Sequence, residues 1–233
     1  EAIGEAASPA IRSAGTLAGN LLQKTRCPYF RGGGPCNKLA RGSGCGALMG
    51  DGRAAVILGG SDECVAIHPS DPAVALAALD ASVVAEGSAG RREIPLESLY
   101  PELATAERDH ELLPGEILVA VRIPIAHARA AQRFRKVRSR AAFDFALVAA
   151  AVRWREADGV IVDVAIALGG VAGRPWRCRA AESALLGTTL SAAEVRAAMA
   201  TELAAARPLR DNGFKVDLAI ATVTAAFLER GPQ

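Results

Sequence analysis

The spacing of apolar positions changes several times along the chain, and each change marks an expected element. Residues 2 to 8 predict a short helix, and "IRSAGTLAGNLLQ" then predicts a tight turn at Gly19 and Asn20 with closely approaching backbone. "AAVILGG" and "CVAIHPS" are short apolar runs of strand type. "SDPAVALAALDA", Ser70 to Ala81, carries a Ser N-cap, Asp71 and Pro72 in the first turn, and an alanine- and leucine-rich stripe, which together predict a helix. "SVVAEG" and "RREIPLESL" read as paired strands, and "GEILVAVRIP" as a longer one ending at Pro124.

A second unit starts near residue 131. "QRFRKVR", "FALVAAAVRWRE" and "VIVDVAIALGG" read as three successive strands, the last two joined by a turn at Asp158-Gly159. Helices over Ala180 to Leu186, Ser191 to Ala206 (Ser191 as cap, Glu194 three residues on) and Phe214 to Glu229 close the chain. Strands first and helices afterwards define an α+β class, with a three-stranded antiparallel sheet covered by helices on one face. The expected domains are residues 1–130 and 131–233.

Composition narrows the partners. The chain has 233 residues, 51% hydrophobic and 22% charged, and 27 basic against 25 acidic residues leave a formal charge of +2. That balance gives no footprint for nucleic acid or an anionic membrane, so small molecules and proteins are the expected partners. No apolar run approaches the roughly 20 residues of a membrane helix, and no signal-peptide pattern is present. The chain opens on Glu1, inside a predicted helix, which leads to the expectation of a processed or truncated protein with a segment upstream.

Four of the five cysteines crowd into residues 27 to 64, and Cys178 stands alone. Clustered thiols beside an adequate core point to a metal rather than to a secreted disulfide framework. The gaps between Cys27, Cys36, Cys45 and Cys64 lack the tight C-x2-4-C knuckles of structural zinc, and no histidine lies inside the glycine-rich loop. Iron–sulfur clusters accept thiolates from such loops, because the inorganic core dictates the geometry. On the residues alone a cluster, zinc and unliganded thiols remain open.

"TLAGNLLQKTRCPYFR", "CNKLARGSGCGAL", "CVAIHPSDPAVALAALDA", "LLPGEILVAVRIP", "FRKVRSRAAFDFALVAAAV" and "ALGGVAGRPWR" stand in the order found in the FAD-binding subunit of molybdenum hydroxylases. The chain resembles the aldehyde oxidoreductase and xanthine dehydrogenase family over nearly its whole length, in the form that carries an extra 4Fe-4S cluster. The resemblance implies the second half of a two-part FAD-binding domain with a cluster loop over residues 27–64, followed by a C-terminal α+β domain. It assigns Cys27, Cys36, Cys45 and Cys64 to the cluster, and Thr16, Gly19, Asn20, Asp71 and Lys136 to FAD.

Their chemistry suits the assignment. A hydroxyl, a bare backbone and an amide match phosphate and ribitol oxygens, a carboxylate accepts from ribose or ribitol hydroxyls, and a lysine stabilises charge on a reduced ring. Without the family, "TLAGN" is a plain turn, Asp71 a first-turn carboxylate on the helix dipole, and Lys136 an exposed strand residue. The glycine-rich phosphate loop of the family has no counterpart here, so the pyrophosphate half of the site is expected from residues upstream.

The function implied is electron transfer: a large molybdopterin-binding subunit oxidises the substrate, an aldehyde, a small 2Fe-2S subunit relays electrons, and this chain passes them through FAD to an acceptor. No general base or nucleophile is nominated. The alternative is a zinc-stapled, non-catalytic interaction module that has lost flavin. The expected compartment is the cytoplasm, with export to the periplasm on a partner's signal as the alternative. His68, His110 and His127 lack metal or triad spacing and read as structural or solvated, Ser43 and Ser61 lack a nucleophile elbow, and Trp154 and Trp176 read as packing residues. "RFRKVRSR" reads as the solvated face of a strand, and Cys178 as a buried free thiol.

Overall fold

The computed structural model describes residues 1–127, 130–141 and 143–228. Short helices α1 (Ala2–Glu5), α2 (Pro9–Ala14), α3 (Leu17–Leu21), α4 (Pro28–Gly32) and α5 (Gly46–Met49) precede α6 (Asp71–Ala78). Strands β1 (Ser82–Gly87), β2 (Gly90–Pro95) and β3 (Ile117–Arg122) form an antiparallel sheet in the order β2-β1-β3. A second antiparallel sheet runs in chain order through β4 (Ala131–Val137), β5 (Val148–Ala157), β6 (Val160–Gly169) and β7 (Trp176–Arg177). Helices α7 (Arg179–Leu185), α8 (Ala192–Leu203) and α9 (Phe214–Leu228) follow; Glu229, expected in the last helix, lies outside the described residues.

Along β5 and β6 the side chains alternate by size rather than by polarity. Val148, Val152, Ile166 and Leu168 share a core with Leu185, Met199 and Phe227 of α7–α9. Ala151, Ala165 and Ala167, pointing the other way, share a core with Ala73, Leu76 and Ala77 of α6 and with Val83 and Ile94 of the smaller sheet. Alanine leaves room for α6 to lie close, and Gly169 extends that room, because a β-carbon there would collide with Val74.

The expected three-stranded sheet with helices on one face is therefore corrected twice. β7 adds a fourth strand, too short to show a period, and α6 covers the second face, because alanine is apolar enough to be buried yet gives no hint of which element buries it. Three local expectations also change. The helix over residues 2 to 8 ends at Glu5, since Pro9 starts a new helix with Ser8 as its cap. Gly19 and Asn20 lie in α3, not in a turn, with Thr16 as N-cap.

Neither the run at 54–60, which bends repeatedly, nor that at 64–70 joins a sheet. Val56 N–H donates to Val65 O at 2.9 Å, linking the two runs, while Ile57 N–H donates to Val171 O at 2.8 Å and His68 N–H to Ala172 O at 3.0 Å, so both runs also bond to the loop after β6.

Helix α6 is held at both ends. Ser70 Oγ accepts from Ala73 N–H at 3.1 Å. At the C-terminal end, Arg153 donates to Ala78 O (3.1 Å) and Arg177 to Ala77 O (2.7 Å), and both pair with Asp80. Cations there complement the helix dipole.

The start of α9 is stapled as well. Asn212 donates to the carbonyls of Ala55 and Val56, each at 3.1 Å, and Lys215 Nζ donates to Ala55 O (2.9 Å) and Gly170 O (2.7 Å). Lys215 is 0% exposed, and burial lowers its pKa to about 8. Among the described residues no helix is long and apolar enough to cross a membrane.

Two outcomes follow for stability. Ala165→Leu overfills the α6 face and should cost about 1–3 kcal/mol in denaturant unfolding, whereas an equal stability would show that α6 does not pack there. Because Lys215 binds its proton less tightly folded than unfolded, wild-type stability relative to Lys215→Met should rise between the folded value of about 8 and the unfolded value of 10.5. The full gain is on the order of 3 kcal/mol. A pH-independent difference between the two proteins would contradict this.

Candidate functional site

Asn20, Asp71 and Lys136, far apart in sequence, meet around the start of α6. Asn20 Oδ1 accepts from Ser70 Oγ at 2.6 Å, and Ser70 caps the helix that Asp71 begins. Asp71 Oδ2 pairs with Lys136 Nζ of β4 at 2.7 Å, with side chains only 6% and 2% exposed. Burial raises the Asp71 pKa, and Lys136 opposes the rise. Lys136 also donates to Glu5 O at 3.2 Å, so it is not the exposed strand residue that composition alone allows.

Nor is "RFRKVRSR" a solvated face. The N-terminal segment covers it: Arg138 pairs with Glu5 at 3.0 Å, and Glu1 accepts from Phe134 N–H at 2.9 Å. Thr16 Oγ1 caps α3 by accepting from Gly19 N–H at 3.0 Å, and both residues are exposed beside half-buried Asn20.

Two residues not nominated from sequence hold this arrangement. Leu21 O, at the end of α3, accepts from Tyr100 OH and from His68 Nε2, each at 3.1 Å, and the two rings meet edge to face. A carbonyl only accepts, so Nε2 carries the proton; burial lowers the His68 pKa to about 4 and keeps the ring neutral. Its Nδ1 is buried with no partner among the described residues. His68 and Ser70 stand beside Asp71 in the "HPSD" motif, so a sequence signal exists for both, whereas Tyr100 has none.

The set suits a polyhydroxylated cofactor. Asn20 Nδ2 and Asp71 Oδ1 make no hydrogen bond among the described residues, leaving one donor and one acceptor free beside a buried cation. A groove of about 460 Å³, lined by Leu17, Pro72, Val121 and Phe134, runs along α6 from the residue after Asp71, without Asn20, Asp71 or Lys136 on its wall. Among the described residues the remaining histidines make local contacts: His127 pairs with Asp80 at 3.2 Å and His110 Nδ1 accepts from Leu112 N–H. Ser61 donates to Ala104 O at 2.6 Å, in a distant loop. Trp154 packs edge to face on Phe227, and Trp176 donates to Glu202 at 2.8 Å.

The cysteine loop is built from backbone. Cys27 caps α4, Cys45 caps α5, and Cys36 and Cys45 face each other in an antiparallel bridge. Ser43 Oγ accepts from Cys36 N–H at 3.1 Å, and Asn37 reaches from this bridge to Glu63 O at 3.0 Å, tying it to the segment of Cys64. Tyr29 lies across Gly46, where a β-carbon would overlap its ring. Burial raises the pKa of Cys64, Lys38 opposes, and the charges of Cys45 and Cys27 add to the rise, which puts three of the four thiols in one electrostatic neighbourhood.

Among the described residues no three cysteine, histidine or carboxylate groups converge as ligands of a metal ion. A multinuclear core spreads its sulfur ligands wider than a single tetrahedral ion does, so this geometry disfavours zinc more than it disfavours a cluster. Cys178 is fully buried in the core of α7–α9, away from the loop.

A two-sheet α+β chain with a buried carboxylate–lysine pair and free polar atoms beside an apolar groove is the frame of a cofactor-binding subunit, and the comparisons with known proteins define which. Residues 1–126 match the family described as "FAD binding domain in molybdopterin dehydrogenase", and residues 132–230 match "CO dehydrogenase flavoprotein C-terminal domain". The chain belongs to the FAD-binding subunits of molybdenum hydroxylases, a family of oxidoreductases.

It is 42% identical over 231 residues to the aldehyde oxidoreductase FAD-binding subunit PaoB of Escherichia coli K12, covering 97% of this chain and 69% of that protein. It is 33% identical over 122 residues to the 6-hydroxypseudooxynicotine dehydrogenase complex subunit alpha of Paenarthrobacter nicotinovorans, covering 52% of this chain and 40% of that one. Quinoline 2-oxidoreductase from Pseudomonas putida 86 shares the fold at 22% identity and a TM-score of 0.68, over 97% of this chain and 64% of its own. Carbon monoxide dehydrogenase from Hydrogenophaga pseudoflava does so at 24% and 0.67, over 95% and 62%. The chain thus spans under two thirds of each of these solved chains.

Lys136→Met would leave the Asp71 carboxylate buried and unpaired, and should cost about 3–5 kcal/mol. The double variant Asp71→Asn, Lys136→Met should recover much of that loss in denaturant unfolding. A double variant as unstable as the sum of the two single ones would show that the pair is not coupled.

Proposed function

We propose that this chain is the electron-transfer flavoprotein subunit of an aldehyde-oxidising molybdenum hydroxylase, working with a large molybdopterin-binding subunit and a small 2Fe-2S subunit. One observation carries the reading: Asn20 with Ser70 and Asp71 with Lys136, drawn from three segments, make two hydrogen-bonded pairs at the start of α6, next to Pro72 in the wall of an open groove. FAD, when bound, accepts and releases electrons. Thr16, Gly19 and Asn20 would meet its phosphate and ribitol oxygens, Asp71 its hydroxyl groups, and Lys136 the charge of its reduced ring.

The 42% identity to an aldehyde oxidoreductase subunit supports the substrate class. Cys27, Cys36, Cys45 and Cys64 would hold a 4Fe-4S cluster; the bridge between Cys36 and Cys45 and the nearness of Cys64 to Cys27 and Cys45 support that set. Five unpaired cysteines accord with the cytoplasm, where thiols stay reduced.

The purified complete subunit should be brown, with broad absorption near about 400 nm and roughly four irons; colourless protein with stoichiometric zinc would refute the cluster. Replacing any of Cys27, Cys36, Cys45 or Cys64 by Ser should deplete iron, and Cys178→Ala should not. Asp71→Ala should weaken FAD by about 1–3 kcal/mol, read as lower flavin occupancy, and full occupancy would remove Asp71 from the site.

A further inference from the structure

Lys38 holds its charge inside the cysteine loop rather than in water. Its side chain is 9% exposed, and its Nζ pairs with Asp109 at 2.7 Å. The other cations of this stretch, Arg26, Arg31, Arg41 and Arg53, are exposed. Lys24 also reaches Asp109, at 3.7 Å, but its side chain is 67% exposed.

The neighbours of Lys38 fix its place. Cys36, two residues earlier, faces Cys45 across the antiparallel bridge, and Asn37 donates to Glu63 O at 3.0 Å, which sets residue 38 beside the segment of Cys64. Lys38, Asp109 and Cys64 line one cavity of about 30 Å³, with room for about two waters and no larger group between them. Cys64 is itself only 5% exposed. Burial raises its pKa and Lys38 opposes the rise, so the ammonium acts on that sulfur.

Dielectric decides which cation matters most. At equal distance a charge surrounded by water is felt about a quarter as strongly as one in a protein environment of effective dielectric near 20, and salt screens exposed charges further. Lys38 therefore outweighs the exposed arginines at Cys64. A 4Fe-4S group, when bound, is one charge more negative reduced than oxidised, so a fixed cation nearby favours the reduced form.

We infer that Lys38 raises the reduction potential of the cluster proposed on Cys27, Cys36, Cys45 and Cys64, and that Asp109 holds the ammonium in place while moderating its effect. The inference rests on the cluster reading and adds to it the group that tunes electron transfer. A purely structural alternative exists, because the pair also ties the cysteine loop to the segment at 105–112, as Arg41 and Glu107 do at 2.8 Å. The two roles differ in sign: a loosened loop shifts the potential the same way whichever partner is removed, whereas a charge effect reverses.

The test is a redox titration of the complete subunit with dithionite and mediators, following the reduced cluster by electron paramagnetic resonance, with iron measured in each variant. Lys38→Met should move the midpoint downward by about 59 mV, a tenfold change in a one-electron equilibrium. Lys38→Arg, which keeps the charge, should stay near wild type. Asp109→Asn, which leaves the cation uncompensated, should move the midpoint upward, and it decides the matter if Lys38→Met fails to hold iron. An unchanged midpoint at full iron content, or shifts of the same sign in Lys38→Met and Asp109→Asn, would overturn this inference alone. Loss of iron from both variants would make the pair a structural staple and overturn it too, while wild type without iron would overturn the cluster reading along with it.

Discussion

The close seat of α6 on the alanine face of β5 and β6 is the contact on which the rest of this chain depends. Ala151, Ala165 and Ala167 bring the helix near enough for Val74 to occupy the space a side chain at Gly169 would need. The helix thereby joins both sheets, since its other residues pack with Val83, Ile94 and Leu99 of the first half. Its ends are secured electrostatically, by the Ser70 cap and the Asp71–Lys136 pair on one side and by Arg153, Arg177 and Asp80 on the other. Burying that many charges is tolerable only because each has a partner at hydrogen-bond distance.

This arrangement ties the candidate cofactor site to the stability of the fold. Asp71 belongs to the first half and Lys136 to the second, so one ion pair both joins the halves and supplies polar atoms to the candidate cofactor site. Helix α3, which carries Asn20, is anchored in turn by His68 and Tyr100, which share the carbonyl of Leu21. A neutral, buried imidazole suits such a place, because it donates one hydrogen bond without adding charge to a region already holding a carboxylate and a lysine.

The cysteine loop follows a different logic. It has little apolar core of its own, only Ala47, Ala55, Val56 and Val65 with Tyr29 and neighbouring half-buried residues. Its shape comes from hydrogen bonds of Asn37 and Ser43, and from Asn212 just before α9 and Lys215 within it, which grip the carbonyls of Ala55 and Val56. A loop held by its backbone leaves its thiols free for other ligands.

Local chemistry was enough to read much of this protein from its residues. The Ser70 cap, the β-strands of both sheets apart from β7, the Asp158-Gly159 turn and the three closing helices follow from signals within a few positions of one another. The family, too, was legible, because motifs such as "TLAGN" and "HPSD" keep their order and the matched models cover both halves. What required the folded chain was every choice of partner across distance. Nothing local says that alanine in β6 faces α6, that two apolar runs bond to the loop after β6 instead of forming strands, or that "RFRKVRSR" is covered by residues 1 to 5. Lys215 shows the reason most plainly: by residue type it belongs in water, and only the meeting of Ala55 and Gly170 around its ammonium makes burial possible.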